Sequence, residues 1–246
     1  MLVVKTGDGK LGRCTAQFIA PQVILTAGHC FKDLEQNAFA TDVAFLLQYQ
    51  NKTWAHRYGW QCGSVPAKYS LPEDYKNHND EQKKCDELTA AQYDYAMILV
   101  DSPSTTGYFQ NWAGSWKPGQ WHGATKVGYP GEVTSGEVIQ KAHGALIFAD
   151  DIGGETELPR LLALWQFNPH LTQGISGGAW IGNFDPQEGK DNNVVLSVSS
   201  FFPESHPEMT FGPQFDRDEF RTLLDHVASG GCGAQQPSGS PPRPGR

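Results

Sequence analysis

The segment CTAQFIAPQVILTAGHC, from Cys14 to Cys30, decides how the fold of this chain is interpreted. Two apolar runs, AQFIAP and QVILTA, meet at Pro21, and short β-branched runs broken by a turn residue are typical of strands. The second run leads directly into a loop that holds His29 beside Cys30. A disulfide between Cys14 and Cys30 would fix that loop, although the sequence alone leaves the pairing open.

Apolar runs of the same kind recur along the chain, among them VAFLLQYQ, YAMILV, LLALWQF and VVLSVSSFF. Their spacing, in a chain with 27 Gly and 16 Pro, predicts an all-β barrel or sandwich rather than alternating strands and helices. One helix is predicted late, in FDRDEFRTLLDHVASGG, because Phe220, Leu223, Leu224 and Val227 recur with helical period. Asp216 with Glu219 resembles a capping box at its start. The polar stretch LPEDYKNHNDEQKKCDEL is predicted to be a long exposed loop.

Charge and hydropathy exclude several classes of partner. The 246 residues include 19 basic and 27 acidic side chains, a formal net charge of −8, and no long basic block, so we expect no nucleic-acid partner. No apolar run approaches the roughly 20 residues of a membrane span. The N-terminal MLVVKTGDGK lacks the apolar core of a signal peptide, so the leader of an exported protein would be missing from this sequence. The sequence has no metal-binding motif, and we expect no metal and no cofactor.

A serine among glycines, Ser176 in QGISGGAW, is the candidate nucleophile. Bare backbone lets a substrate approach the hydroxyl and lets N–H groups point at the oxyanion that forms. A serine also needs a histidine to accept its proton and a carboxylate to orient that histidine. His29 and Asp94, which stands just before an apolar run in YDYAMILV, are the candidates, and the chain order is His29, Asp94, Ser176.

The same glycines also satisfy the G-x-S-x-G elbow of α/β-hydrolases. In those enzymes the serine comes before the acid and the histidine, so an elbow would have to use Asp191 or Asp216 with His206 or His226. No series of alternating strands and helices precedes Ser176. The elbow interpretation is therefore disfavoured.

Three segments together resemble the trypsin- and chymotrypsin-like serine proteases: TAGHC at His29, the D-x-A-x-[IL]-x-[LV] pattern at Asp94, and the glycine-rich loop at Ser176. The resemblance implies an all-β fold of two antiparallel six-stranded β-barrels with a C-terminal α-helix. Residues 1–104 would form the barrel that carries His29 and Asp94, and residues 105–232 the barrel that carries Ser176 and the helix. Residues 233–246, rich in Pro, Gly and Ser, are predicted to be a disordered tail.

The resemblance also implies a mechanism and a setting. Ser176 would attack a peptide carbonyl, His29 would transfer the proton, Asp94 would orient His29, and the N–H groups of Gly174 and Ser176 would form the oxyanion hole. The expected protein is a secreted or periplasmic serine endopeptidase that acts on polypeptides as a monomer. Two alternatives remain: a catalytically silent homologue that binds a partner through its cleft, and an esterase with the same triad.

The chain departs from the trypsin branch beside the serine. Trypsins have there an aspartate that pairs with the new N-terminus after activation, and Ile175 cannot make that ion pair. We therefore expect the oxyanion loop to be held in another way. This departure, with GYPG at 128–131, resembles the bacterial glutamyl-endopeptidase-like branch.

The resemblance places the primary specificity pocket at two segments. These are His170, Leu171, Thr172 and Gln173, and the strand residues Ser199, Ser200 and Phe201. The strand residues would offer backbone hydrogen bonds to an extended substrate. His170 would favour an acidic residue before the scissile bond, whereas Val198 stands where glutamyl endopeptidases have a substrate-binding histidine, which argues against that preference.

Five cysteines are too scattered for a zinc ribbon, and disulfides are the favoured interpretation over reduced buried thiols. Bonds between Cys14 and Cys30 and between Cys62 and Cys85 would leave Cys232 free or bound to another chain. The sequence does not fix this connectivity.

Overall fold

The computed structural model describes residues 1–114, 121–148, 160–166, 174–187, 193–203 and 206–235. Strands dominate this part of the chain, as the sequence predicts. Their bounds are β1 Leu2–Lys5, β2 Leu11–Cys14, β3 Gln17–Ala20, β4 Val23–Thr26, β5 Lys32–Asp33, β6 Ala38–Phe39, β7 Asp42–Leu47, β8 His56–Ser64, β9 Ala96–Val100, β10 Gln110–Asn111, β11 Gly123–Gly128, β12 Gln140–Phe148, β13 Leu161–Trp165, β14 Ala179–Gly182, β15 Val194–Val198, β16 Met209–Pro213 and β17 Ala234–Gln235.

The described helices are α1 Asp80–Ala91, the single turn α2 Gly131–Thr134, and α3 Arg217–Ala228, with 3₁₀ turns at Gly28–Cys30 and Tyr75–Asn77. Helix α3 confirms the late helix. The Asp216 side chain caps it by accepting hydrogen bonds from the N–H groups of Asp218 and Glu219. None of the described helices is long and apolar enough to cross a membrane.

The first sheet has eight strands in the order β2-β1-β7-β8-β9-β4-β3, with β17 paired to β8, and all its pairings are antiparallel. Its neighbouring strands β9 and β4 are buried along their whole length. Successive side chains of a strand point to opposite faces of the sheet. Ile24 and Ile98 accordingly pack in the apolar cluster on one face, and Leu25 and Met97 pack in the cluster on the other. Both faces are therefore covered.

The second sheet has seven strands in the order β10-β15-β14-β11-β12-β13-β16. Its pairings are antiparallel except for the short β10, which runs parallel to β15. Beyond β15 the chain bridges to β16 through Phe201 and Phe211, which brings the two ends of the sheet together. The sheet therefore curls back on itself.

Helix α3 connects the two halves of the fold. Phe220, Leu223 and Val227 are buried in a cluster with Leu25 and Met97 of the first sheet, and the same cluster includes residues of β14 and β15. Ala234 and Gln235, at the start of the predicted tail, pair with Gly63 and Cys62 of β8, and the disorder of the tail stays a prediction. The division into barrels at residues 104 and 105 stays a prediction.

The disulfides correct one predicted pairing. Cys14 bonds to Cys30, whereas Cys62 bonds to Cys232, 170 residues away, and Cys85 is an exposed free thiol. The predicted bond between Cys62 and Cys85 is therefore wrong. Cys85 lies on α1, and the strand pairing of β17 with β8 brings the chain end to Cys62 instead.

Helix α1 replaces part of the predicted exposed loop. Asn79 and Gln82 form a reciprocal capping box, and Asp80 and Glu81 stand in the first turn, where acidic groups favour the helix dipole. Only Ala90 is buried, so the helix has almost no apolar period for a sequence pattern to detect.

Candidate active site

The loop after β4 presents His29. All of β4 is buried, and the chain then turns through Gly28–Cys30, where the disulfide from Cys30 to Cys14 at the end of β2 anchors the turn. The side chain of His29 is 41% exposed, so the imidazole lies at the surface, on a turn that the buried strand β4 and the disulfide hold in place. This arrangement suits a residue that must contact a substrate.

Asp94 stands just before β9 and is held against that loop. Its Oδ1 accepts a hydrogen bond from the N–H of His29 at 2.7 Å, and its Oδ2 lies 2.8 Å from Nδ1 of the same residue. The carboxylate is only 5% exposed. Gly28 permits this approach, because a Cβ there would lie 2.8 Å from Oδ1 of Asp94. Both carboxylate oxygens of Asp94 thus contact His29.

The electrostatics of the pair favour the charged forms. Burial alone would lower the pKa of His29, but the charge of Asp94 and the hydrogen bond to it prevail and raise that pKa. Burial alone would raise the pKa of Asp94, but the charge of His29 and hydrogen bonds from His29 and Ser200 lower it. Asp94 is therefore a carboxylate held in hydrogen-bonding contact with the imidazole, where its charge would favour an imidazolium.

Two further side chains support Asp94. The hydroxyl of Ser200 donates to Oδ2 of Asp94. Tyr69, also buried, packs against Gly28, and burial together with the charge of Asp94 and a hydrogen bond to it raises the pKa of the phenol. The sequence analysis did not assign these roles, since Tyr69 lies in a loop without a motif and Ser200 was expected to serve the substrate through its backbone.

The loop of Ser176 packs against the end of β4. The carbonyl of Ser176 accepts a hydrogen bond from the N–H of Thr15 at 2.8 Å. Gly177 has a φ of +77°, and a Cβ there would lie 2.1 Å from Oγ1 of Thr26 and 2.7 Å from the N of Ala27. The serine loop thus touches the backbone that leads into His29, and only glycine fits at this contact.

Thr15 holds the segment before Ser176. Its hydroxyl donates to the carbonyl of Gly174 at 3.1 Å and accepts from the N–H of Tyr129 at 3.2 Å. Ile175 is buried against Gly128, where a Cβ would lie 2.8 Å from that of Ile175. Packing and the Thr15 hydrogen bonds therefore hold this loop in place of the ion pair that Ile175 cannot make.

The residues predicted for the specificity pocket divide into two groups. His170, Leu171, Thr172 and Gln173 lie outside the described residues. Ser199 exchanges backbone hydrogen bonds with Gly177 and Gly178, and its hydroxyl accepts from the indole of Trp180 at 3.0 Å. Phe201 pairs with Phe211 and stacks on its ring. Ser199 and Phe201 thus make backbone hydrogen bonds within the barrel.

One group of potential metal ligands occurs in the described part of the chain. Ligand atoms of Cys14, His29 and Cys30 lie within 4.8 Å of one another. Both sulfurs belong to the disulfide, so this group is not a metal site.

No family model matches the sequence, and no curated protein matches it. Solved structures do match. The protease Anisep from Arthrobacter nicotinovorans has a TM-score of 0.69 at 17% identity, covering 93% of this chain and 94% of that one. A thermostable serine protease, AL20, from an extremophilic microorganism has a TM-score of 0.67 at 18% identity, and the match covers 93% of this chain and 95% of that one. A Glu endopeptidase has a TM-score of 0.65 at 19% identity, and the match covers 92% of this chain and 89% of that one. The chain therefore has the two-barrel fold of the trypsin- and chymotrypsin-like serine proteases.

Proposed function

We propose that the protein is a serine endopeptidase in which Ser176, His29 and Asp94 form the catalytic triad. The observation that carries the proposal is the double contact between His29 and Asp94, at 2.7 Å and 2.8 Å, on a fold that the compared proteases share. A carboxylate on Nδ1 keeps the proton on that nitrogen and leaves Nε2 to act as the base.

The proposed reaction assigns one role to each group. Nε2 of His29 takes the proton of Ser176 as its oxygen attacks the peptide carbonyl, and then gives that proton to the leaving amine. Asp94 stabilises the imidazolium that forms between these steps. The N–H groups of Gly174 and Ser176 stabilise the oxyanion, and hydrolysis of the acyl-enzyme regenerates the serine. The fixed position of the 174–178 loop on Thr15 supports this assignment, since an oxyanion hole must be organised in advance.

A polypeptide is the proposed substrate, and an oxidising compartment outside the cytoplasm is the proposed location. Two disulfides support this location, because such bonds persist where thiols are not kept reduced. The monomeric state stays a prediction.

The substitution Ser176→Ala tests the function. We expect kcat for a peptide substrate to fall by roughly 10⁶-fold, as for other triad serines, with the thermal unfolding midpoint nearly unchanged. A fluorophosphonate should label wild-type protein at Ser176 and leave the variant unlabelled. A wild-type protein that resists the probe would be a silent homologue, and one that cleaves small esters but no peptide would be an esterase.

A further inference from the structure

A groove between the two sheets lies apart from the candidate triad. Its volume is about 1020 Å³, at the upper end of ligand sites, which is large enough for several linked units of a ligand. Residues of β3 and β7 line it from the first sheet, and residues of β11, β12 and β14 line it from the second. The described residues that line it do not include His29, Asp94 or Ser176.

Aromatic rings form much of the groove surface. Tyr49 and Tyr129 are buried in its floor with their ring centres 5.9 Å apart, and the hydroxyl of Tyr129 donates to the carbonyl of Tyr49 at 3.0 Å. Tyr108 stands at the rim and is 39% exposed. A tyrosine at such a rim presents both an apolar ring face and a hydroxyl to a ligand.

The polar side chains of the groove are nearly all uncharged. Gln17 and Gln48 bring carboxamides from one side, and Gln140 brings a third from the other. Among the described residues that line the groove, Lys141 is the only charged side chain, and its ammonium lies 5.3 Å from the centre of the Phe184 ring. In a chain with a formal net charge of −8, this lining favours an uncharged ligand.

The carboxamide of Gln17 has an oxygen without a partner. Gln17 is 6% exposed, and its Nε2 donates to the carbonyl of Leu25 at 3.0 Å, whereas its Oε1 accepts no hydrogen bond from the described part of the chain. Leaving a buried acceptor without a donor is costly. A ligand with O–H or N–H groups would supply the donor, whereas a hydrocarbon chain would not.

The backbone around the groove is already paired, which disfavours a peptide as the ligand. Four of the five described strands that line it, β7, β11, β12 and β14, have a neighbour on both sides. The fifth, β3, is an edge strand, but the carbonyl of Phe18 accepts from the N–H of Phe109 at 2.9 Å. An extended peptide gains affinity mainly by adding a strand to such an edge. The groove instead offers side-chain carboxamides and hydroxyls.

We propose that this groove binds a neutral oligosaccharide. A sugar ring has an apolar C–H face that packs on an aromatic ring, and its hydroxyls both donate and accept, as a carboxamide does. The ring of Tyr108 and the carboxamides of Gln17, Gln48 and Gln140 match these two kinds of surface without a charge. The site is separate from the triad and does not depend on its activity.

Maltohexaose, cellohexaose and chitohexaose are the probes, and isothermal titration calorimetry on the full chain measures their binding. We expect at least one of them to bind saturably, one molecule per chain, and to bind Ser176→Ala with the same affinity. Tyr108→Ala should weaken this binding by about 10-fold or more, because the sugar loses an apolar surface on which to pack. Trp165→Ala, at a ring that is 47% exposed outside the groove, should leave it unchanged.

Failure of all three sugars to bind would overturn the proposal, and so would binding that Tyr108→Ala and Trp165→Ala weaken equally. A capped hexapeptide of serine and tyrosine, titrated into Ser176→Ala so that it is not cleaved, tests the competing occupant. Binding of this peptide without binding of any sugar would make the groove a polypeptide site instead. Peptide hydrolysis is assayed separately, so its absence would remove the proposed function and leave the sugar site standing.

Discussion

The hydroxyl of Ser200 and Nδ1 of His29 meet at the same oxygen, Oδ2 of Asp94. The other oxygen, Oδ1, is held by the N–H of His29. A buried carboxylate is stabilised by such donors, and each one also limits the directions in which it can turn. The orientation of the imidazole thus depends on Ser200, which follows β15 of the second sheet, as well as on Asp94, which precedes β9 of the first.

Ser200→Ala should weaken the support of Asp94 while leaving its contact with His29 in place. Loss of a hydrogen bond to a charged group costs about 1.5–3 kcal/mol, so we expect kcat/KM to fall by roughly 10-fold or more. The charge of the carboxylate would then be less compensated and would interact more strongly with His29, so the acid limb of the pH profile should move to higher pH. Ser197→Ala is the matched control, because that buried hydroxyl donates to the carbonyl of Pro213 instead. An unchanged pH profile in Ser200→Ala would contradict the positioning role.

In the proposed mechanism the pH dependence of activity follows from His29, which would have to be neutral to accept the proton of Ser176. Although burial opposes it, the charge and hydrogen bond of Asp94 raise the pKa of His29 above its ordinary value near 6.5. The acid limb of kcat/KM should therefore have its midpoint above that value. Conversely, the stability that protonated His29 contributes is fully present below pH 6.5 and is lost as the pH rises through the folded-state pKa. A midpoint clearly below 6.5 would exclude His29 as the base.

Gly177→Ala should lower the free energy of unfolding and the peptidase activity much more than Gly107→Ala. Both glycines have positive φ, +77° and +85°, but a Cβ at Gly177 would lie 2.1 Å from Oγ1 of Thr26, whereas nothing lies within 4 Å of one at Gly107. We expect Gly107→Ala to lower the free energy of unfolding by about 1–2 kcal/mol, the cost of the backbone conformation. Gly177→Ala adds a clash worth about 1–3 kcal/mol more and displaces Ser176. Urea unfolding and peptide hydrolysis measure the two effects, and equal losses would mean that the serine loop is not confined.

The cysteines differ sharply in their expected effect on stability. Cys232→Ser should lower the free energy of unfolding by about 2–5 kcal/mol, since it opens a bond that closes a loop of 170 residues. Cys85→Ser should change it by less than about 0.5 kcal/mol, because that thiol is exposed and unbonded. Thermal or urea unfolding under oxidising conditions compares the two. A large loss in Cys85→Ser would restore the pairing predicted from the sequence.

The sequence predicted those features of the fold that depend on short contiguous patterns of residues. The β-rich fold and helix α3 follow from local periodicity and capping. The pairing of Cys62 with Cys232 could not be predicted, because it depends on how strands distant in sequence meet. Helix α1 was missed because its signal is the polar cap at Asn79 rather than an apolar stripe. The role of Ser200 was missed because only the folded chain brings it to Asp94.

The pairing of β17 with β8 and the disulfide from Cys232 to Cys62 can form only after the end of the described chain has been synthesised. During synthesis the first half emerges long before helix α3, the strand and the cysteine that complete it. The nascent half would therefore expose the apolar outer face of β4 and β9, and the thiol of Cys62, until nearly all of the described chain has left the ribosome. Closure of the fold is thus a late event, and before it a chaperone or an oxidant could act on the unfinished chain.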